Sequence, residues 1–285
     1  MILSEKKAEV RKILDHQRAS NNEVGMFGTN GKNHSGHLSV IRHAQAENDF
    51  VTVFWGGALK LDWGDGAMLD YDRNLGEDAA LFEAAGVDLL FVPKRDDMFP
   101  RRTVTVIDMP EMFARIDGMP ERRGMELVVT MFATFMIIVG PSRVYSGEKD
   151  WPQLAMFRQM AEDLQLPARL VSCPIEREDD GLAISSRNAQ LTPSQRIAAP
   201  VLYRGLSAGV AAISEGERSA RPVIDLVTSL IAKEAEADYV TIVDADTLEP
   251  REVLSGNLRL LGSAKLGEIS IVDNLGVSVN GDVVA

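Results

Sequence analysis

The chain has 285 residues, of which 45% are hydrophobic and 25% are charged, and these are ordinary values for a globular protein with room for two domains. Acidic residues outnumber basic residues by 42 to 30, so the formal net charge is −12, which disfavours a nucleic acid as the main partner. The only cysteine is Cys173, which excludes an intrachain disulfide and a cysteine-based zinc site.

The first two thirds of the chain alternate short apolar strands with amphipathic helices. The predicted strands cover residues 23–27, 50–55, 89–92, 103–107, 143–145 and 168–173. The predicted helices between them cover residues 37–47, 76–85, 127–139 and 151–164. This alternation is typical of βαβ units, so we expect an α/β fold with a doubly wound, Rossmann-like parallel sheet.

The pattern changes after about residue 175. A polar loop at 176–181 leads into a helix-rich stretch at 193–235, and three short strands follow at 238–244, 257–265 and 268–273. Leu266 and Gly267 form a tight turn between the last two strands. The sequence therefore predicts a larger domain over residues 1–175 and a smaller α+β domain over residues 176–285.

Two segments of the sequence bear on the location of the protein. The first 18 residues are polar and charged, and they lack the apolar segment of a signal peptide. The apolar stretch 127–139 is much shorter than the roughly 20 residues that span a bilayer. We therefore predict a cytoplasmic protein without a membrane partner.

The first motif is Gly28-Thr-Asn-Gly-Lys-Asn-His-Ser-Gly-His37, which follows a predicted strand and opens a predicted helix. Free backbone N–H groups and the helix dipole make such a position a potential anion site. His34 and His37 are three residues apart and can donate hydrogen bonds to phosphate oxygens during nucleotidyl transfer. Two alternatives stay open: the glycines can serve the turn alone, and the histidines can bind a metal, although no third ligand stands at motif spacing.

The second motif is Ser146-Gly-Glu-Lys-Asp-Trp-Pro-Gln153, which also lies between a predicted strand and a predicted helix. In a doubly wound sheet, such strand ends share one crevice with the first motif. Lys149 suits a phosphate, and Asp150 can accept a hydrogen bond from a ribose hydroxyl. The alternative for Asp150 is a plain helix N-cap.

The third motif is Asp180-Gly-Leu-Ala-Ile-Ser-Ser-Arg-Asn188. Its two hydroxyls and its guanidinium can close over a phosphate chain, although the same residues also suit an ordinary polar loop. Residues 176–187 are charged and offer few evident apolar anchors. We therefore expect a mobile lid that becomes ordered over the nucleotide.

Taken together and in this order, these motifs resemble those of the pantothenate synthetase (pantoate-beta-alanine ligase) family, within the HIGH-type nucleotidyltransferases. The similarity covers nearly the whole chain. The matching segments are His34-Ser-Gly-His37, Gly147-Glu-Lys-Asp150 with Gln153, residues 180–188, residues 244–248 and residues 271–274. The resemblance implies an enzyme that uses ATP and Mg²⁺ to activate a carboxylic acid as an acyl adenylate. An amine then attacks the adenylate to give an amide and AMP, and the family resemblance also implies a homodimer.

The resemblance also implies a role for each matching residue. The residues implied at the phosphates are His34, His37, Lys149, Ser185, Ser186 and Arg187. The other nucleotide-binding residues are Thr29, Gly31, Gly36, Gly147 and Asp150. The residues implied at the acid are Asn30, Leu59, Lys60 and Gln153, and Asp78 matches an acidic position near magnesium. No protein nucleophile is required, because such a site works by positioning and charge stabilisation.

The departures from the family pattern fall on the acid pocket. Where the family has Pro-Thr-Met-Gly, this chain has Gly-Thr-Asn-Gly at 28–31, and Asn33 replaces the leucine before the first histidine. Where the family has Phe-x-Asn-Pro-x-Gln-Phe, this chain has Phe-Trp-Gly-Gly-Ala-Leu-Lys at 54–60. Leu59 thus replaces a glutamine that hydrogen-bonds pantoate in the family. Gly56-Gly57 is expected to remove bulk from the pocket. The segment 54–71 is also two residues longer and carries Lys60, Asp62, Trp63 and Asp65.

These departures predict an acid other than pantoate, since a site that loses a hydrogen-bonding partner discriminates poorly for the hydroxyl it once bound. The altered segment favours a polar, charged or larger acid. The alternatives are a true pantoate-beta-alanine ligase, a nucleotidyltransferase that releases an adenylylated product, and a catalytically silent nucleotide-binding relative. An arginine of the family corresponds to Arg123 in this interpretation.

Overall fold

The computed structural model describes residues 1–59, 74–101, 103–115 and 124–279. The chain divides into two compact units. The first unit comprises Met1–Met109, Glu121–Gly147 and Met156–Pro174, and the second comprises Pro110–Pro120, Glu148–Ala155 and Ile175–Ala285. The last change from the first unit to the second falls between Pro174 and Ile175, and two short segments, 110–120 and 148–155, also belong to the second unit. The boundary between residues 175 and 176 stays a prediction.

The first unit contains a six-stranded parallel sheet. Its strands are β1 (Ile2–Ser4), β2 (Val24–Thr29), β3 (Phe50–Trp55), β4 (Leu89–Phe91), β5 (Ser142–Gly147) and β6 (Ala168–Cys173). Their spatial order is β1-β4-β3-β2-β5-β6, with every pair parallel. From β2 the chain first runs outward through β3 and β4 and then returns to the other side at β5. The doubly wound α/β fold is therefore confirmed, and its switch point lies between β2 and β5.

Helices cover both faces of this sheet. The helices in this part of the chain are α1 (Lys7–Ala19), α2 (Ser35–Glu47), α3 (Leu75–Ala84), α4 (Arg95–Met98), α5 (Pro110–Arg115), α6 (Met125–Val139) and α7 (Trp151–Asp163). Successive side chains of β3 point to opposite faces. On one face, Val53 packs in a cluster with Ile41 of α2 and Phe82 of α3. On the other face, Phe54 stacks on Phe135 of α6 with ring centroids 3.2 Å apart.

Two local predictions in the first unit are wrong. Residues 103–107 do not form a strand: Ile107 N–H donates to Thr130 Oγ1 at 2.8 Å, and the Val104 side chain is 86% exposed. A run of β-branched residues favours a strand only where a neighbouring strand can pair with it. Strand β1 was missed because Ile2 and Leu3 are about half exposed and only Ser4 is buried.

The second unit packs helices against a three-stranded antiparallel sheet, which confirms the smaller α+β domain. Its elements are α8 (Pro193–Ala198), α9 (Val201–Ser214), α10 (Ala220–Ile231), β7 (Glu236–Asp244), β8 (Gly256–Leu266) and β9 (Ile269–Val279), with strand order β7-β8-β9. A Cβ atom on Gly209 of α9 would lie 2.7 Å from the side chain of Val227 of α10, so glycine permits the two helices to pack closely. Strand β9 continues six residues beyond its predicted end.

Among the described residues, the helical stretch Pro193–Ser214 is long and apolar enough to cross a membrane, judged by length and composition only. Its members Leu202, Leu206 and Ile213 belong to the buried core of the second unit. A core helix of this kind passes the same test, so the stretch is weak evidence for a membrane span.

Candidate active site

The turn between β2 and α2 has a built-in hydrogen-bond framework. Thr29 Oγ1 accepts from Gly31 N–H at 3.1 Å and donates to Asn33 Oδ1 at 2.9 Å. Gly31 has a φ of +99°, a left-handed conformation that favours glycine. The predicted strand, turn and helix are thus present, and the turn leads directly into the first residues of α2.

The two histidines contact each other at the start of α2. Their ring centroids are 4.0 Å apart, and the Nδ1 atom of His37 accepts from the backbone N–H of His34 at 3.3 Å. An Nδ1 atom that accepts a hydrogen bond assigns the ring proton to Nε2 in the neutral tautomer. His37 therefore presents an Nε2–H donor of the kind that stabilises developing negative charge. Gly36, between them, lies in the first turn of the same helix.

Asp78 is buried on α3 and links three elements. Its side chain is 5% exposed; Oδ1 accepts from the backbone N–H of Asn33 at 3.1 Å, and Oδ2 accepts from the indole Nε1–H of Trp55 at 2.8 Å. Each carboxylate oxygen thus already receives one donor. These contacts give Asp78 a role in fixing the residue before His34, a role that the sequence did not indicate.

A protein-built metal site is not present in the described part of the chain. No group of three or more His, Cys, Asp or Glu side chains there has an arrangement that could hold a metal ion. Whether His34 and His37 bind a metal ion therefore stays open. The placement of Asp78 near magnesium stays a prediction.

The predicted loss of bulk at Gly56-Gly57 is wrong. A Cβ atom on Gly57 would lie 2.6 Å from the ring of Trp55, and a Cβ atom on Gly56 would lie 2.8 Å from Oδ1 of Asn30. The space beside the two glycines is therefore filled by the side chains of Trp55, which stands at a variable position of the family motif, and of Asn30, which departs from it. With these side chains in place, a larger residue at 57 would clash with Trp55, and one at 56 would clash with Asn30.

The other residues predicted at the acid are less well defined. Leu59 is 1% exposed, and its N–H donates to the carbonyl of Gly56 at 3.0 Å, so its side chain belongs to the core. The Nδ2 atom of Asn33 is buried and has no hydrogen-bond partner among the described residues. The remaining predictions, at Lys60, residues 62–65 and Arg123, lie outside the described residues.

In the second unit, two residues predicted to bind phosphate line one cavity. Lys149 and Ser185 meet there with Tyr203 and Asp273, so one residue of the second motif and one of the third line the same cavity. The Nζ atom of Lys149 lies 3.9 Å from Oδ1 of Asp150, and the Lys149 side chain is 22% exposed. A partly exposed ammonium at a cavity with hydroxyl groups suits a phosphate ligand.

The remaining site residues take ordinary positions around these motifs. Gly147 ends β5, and a Cβ atom there would contact Val40 of α2 at 3.8 Å. Gln153 is half-buried on α7. The Oγ atom of Ser185 accepts from Arg187 N–H at 3.3 Å and caps a short 3₁₀ turn that begins at Ser186. The Arg187 guanidinium donates to the carbonyl of Ser270 at 3.2 Å.

The lid predicted at 176–187 has more anchors than its sequence indicated. Leu182 and Ala183 are buried in the second unit, at 5% and 4% exposure, so the expectation of few apolar anchors is wrong. Arg177 forms a two-bond ion pair with Asp273 at 2.6 and 3.0 Å and also donates to the carbonyl of Gly181. The loop is thus a folded turn rather than an unanchored segment.

An ion network holds the outer side of the same loop. Arg196 contacts Glu178 and Asp180, each at 2.6 Å. The hydrogen bond from Arg196 lowers the pKa of Asp180 below its ordinary value. The Arg196–Asp180 pair is therefore ionised at neutral pH, and both contacts of Arg196 add to the anchoring of the loop.

We expect this loop to resist proteolysis without nucleotide. Endoproteinase Glu-C cleaves after glutamate, and Glu176 and Glu178 lie in the loop. Loss of a charged hydrogen-bond pair in Arg177→Ala should speed cleavage by roughly tenfold or more. The control is Arg221→Ala, which removes an exposed ion pair on α10. If saturating ATP protects the wild-type loop more than about tenfold, the lid model is right after all.

Residues 2–276 match the family model described as pantoate-beta-alanine ligase. The chain belongs to the pantoate-beta-alanine ligase family. "Pantothenate synthetase 1" of Frankia alni is 49% identical over 98% of this chain and 99% of its own length. "Pantothenate synthetase 2" of the same organism is 41% identical over 95% of this chain and 83% of its own length.

Solved structures of this family have the same fold. Pantothenate synthetase from Thermus thermophilus superposes with a TM-score of 0.84 at 34% identity, covering 96% of this chain and 99% of that chain. Pantoate-beta-alanine ligase from Francisella tularensis, solved with beta-gamma ATP and beta-alanine, has a TM-score of 0.70 at 23% identity and supports the fold alone. Family membership confirms the prediction of an ATP-dependent, amide-forming ligase that releases AMP.

Proposed function

We propose that this pantoate-beta-alanine ligase family member joins pantoate to beta-alanine. The observation that carries the proposal is the relative named pantothenate synthetase, which is 49% identical over nearly the full length of both chains. This relationship favours the alternative of a true pantoate ligase over the predicted change of acid. Asn30 and Trp55 fill the space beside Gly56 and Gly57, so the glycines give no support for a larger acid.

The reaction consists of two displacements. A carboxylate oxygen of pantoate attacks the α-phosphorus of ATP, and the bond to the bridging oxygen breaks, so pyrophosphate leaves with the electron pair. The amine nitrogen of beta-alanine then attacks the carbonyl carbon of the adenylate and loses a proton, and AMP leaves. In the first step, His37 donates its Nε2–H to oxygens on which negative charge grows. Lys149 and Ser185 hold phosphate oxygens through charge and a hydroxyl group.

Mg²⁺ is proposed to enter with the nucleotide, since it usually keeps several waters and binds through substrate phosphates and only one or two carboxylates. It neutralises phosphate charge when bound. The described residues contain no protein cage for it, and both oxygens of Asp78 already accept hydrogen bonds. The chain's own contribution is therefore positioning, donation of hydrogen bonds and the ammonium charge of Lys149.

A cytoplasmic homodimer is the proposed form of the enzyme. The single buried cysteine suits a reducing compartment. Val104 and Val106 are 86% and 46% exposed in an extended stretch with no strand partner among the described residues, and we propose that the dimer covers these side chains. Light scattering on the purified protein distinguishes a dimer from a monomer of 31.2 kDa.

The test of the function is AMP formation with pantoate, beta-alanine, ATP and Mg²⁺. We expect a turnover of about 1 per second or faster at sub-millimolar pantoate, which are ordinary values for an enzyme on its own substrate. A panel of hydroxylated, charged and larger acids runs in parallel with the same amine. A tenfold higher kcat/KM for another acid would restore the prediction of an altered substrate. Pyrophosphate release without amide would indicate a simple nucleotidyltransferase.

A further inference from the structure

A buried asparagine in the second unit holds the backbone of Lys149. Asn274 on β9 is 1% exposed, and its Nδ2 atom donates to the carbonyl of Glu148 at 2.8 Å and to the carbonyl of Lys149 at 2.9 Å. These two carbonyls belong to the peptide groups on either side of Lys149. Fixing both peptide planes restricts the φ and ψ angles of that residue and hence the direction in which its side chain leaves the backbone.

The side chain of Asn274 is itself fixed from the other end. Its Oδ1 atom accepts from Arg259 at 3.0 Å, and the same guanidinium bonds Glu148 at 3.0 Å and lies 3.3 Å above the ring of Trp151. Both amide hydrogens and the carbonyl oxygen of Asn274 are therefore used. Only an amide can donate twice and accept once here, since an aspartate of equal size donates nothing when ionised.

Asp273, the residue before Asn274, anchors the loop at 176–187 that carries Ser185. Asp273 is 6% exposed and forms the two-bond pair with Arg177, whose guanidinium also lies 4.3 Å from the ring of Tyr203. The backbone N–H of Asn274 donates to Oδ1 of Asp273 at 2.8 Å, which joins the two anchors. One dipeptide of β9 thus fixes the Lys149 segment and the loop that carries Ser185.

We propose that Asn274 is a positioning residue that sets Lys149 for the phosphates of ATP. The proposal rests on the function above in one respect, that Lys149 binds a phosphate, and it does not depend on which acid is used. The buried position alone is consistent with a purely structural role. The distinguishing property is therefore that the effect of Asn274 on nucleotide binding passes through Lys149.

A double-mutant cycle tests this property. The affinity for a non-hydrolysable ATP analogue is measured by calorimetry in wild type, Asn274→Asp, Lys149→Ala and the double variant. We expect Asn274→Asp to weaken binding about tenfold or more, the scale of one to two lost buried hydrogen bonds. In the Lys149→Ala background, the same substitution should change the affinity less than about twofold, because coupled residues are not additive.

Two further variants keep the outcome clear. Asn257→Asp makes the same substitution at an exposed site on β8, where Oδ1 accepts from Ser278, and it should leave the affinity unchanged. Asn274→Ala removes the amide without adding charge and enters the same cycle if Asn274→Asp does not fold. Additive losses, or an Asn274→Asp affinity equal to that of wild type, would overturn the proposal. Because binding of the analogue needs no acid, failure with pantoate leaves this test intact.

Discussion

Replacement of His37 by alanine should lower pantoate-dependent exchange of pyrophosphate into ATP by roughly two to three orders of magnitude, the scale for one lost oxyanion donor. The loss is expected in the exchange reaction because the Nε2–H of His37 acts in adenylate formation. His43→Ala is the matched control, since His43 is exposed on the same helix and its Nδ1 contacts only the carbonyl of Ser39 in the described structure. We expect that variant to retain the wild-type exchange rate.

A metal role for the histidines makes a different prediction. Stoichiometric zinc in the purified protein, lost together with activity in His37→Ala but retained in His43→Ala, would contradict the hydrogen-bond role. Elemental analysis and thermal unfolding of the three proteins decide between the two. Under the hydrogen-bond role, all three remain zinc-free and unfold at nearly the same temperature, because the ring of His37 is only half-buried.

The sheet was predictable wherever an element carries its own periodic signal. Strands β2, β3 and β6 are apolar runs bounded by turn residues, and the helix patterns between them require right-handed crossovers to parallel neighbours. Strand β1 has three residues and is half exposed, so its only determinant is pairing with β4, which no local pattern contains. Residues 103–107 show the converse case: they have strand propensity, but none of the described strands pairs with them.

The site residues also fall into two groups: those that a local sequence pattern places together, and those that only long-range contacts join. His34 and His37 lie in one turn of helix, so a four-residue pattern was sufficient to place them together. The bond between Asn274 and the Lys149 carbonyl joins residues 125 positions apart, and the sequence around residue 274 gave only the family resemblance. A signal was available, because Asp and Asn in an apolar strand must find buried partners. Which residues are those partners depends on the tertiary structure, and no local sequence pattern contains it.

Trp55 was the least predictable of these residues, because it stands at a variable position of the family motif and its role depends on contacts with two other residues. Its ring occupies the space beside Gly57, and its indole N–H donates to Asp78 on α3. Considered alone, the glycine pair indicated an enlarged pocket. The three-dimensional contacts show instead that the ring of Trp55 fills the space beside Gly57.

Replacement of Asp78 by asparagine should therefore destabilise the turn before His34. Asp78 accepts from two donors, Trp55 Nε1–H and Asn33 N–H, whereas an amide side chain has one acceptor oxygen. One donor must then face an NH₂ group in a buried site, which costs about 1–3 kcal/mol in the free energy of unfolding. We expect the pyrophosphate exchange rate to fall as well, because the loop that carries His34 loses an anchor. Glu77→Gln, at the exposed neighbouring position, is the control.

The second variant that separates positioning from metal binding is Trp55→Phe. It removes the indole donor, so in the double variant the amide oxygen can accept from Asn33 N–H and no second donor faces the NH₂ group. We expect the double variant to recover part of the stability and exchange rate that Asp78→Asn loses, with the Mg²⁺ concentration for half-maximal rate unchanged throughout. If Asp78 instead binds Mg²⁺, Asp78→Asn raises that concentration and Trp55→Phe cannot restore it, since the substitution supplies no oxygen ligand.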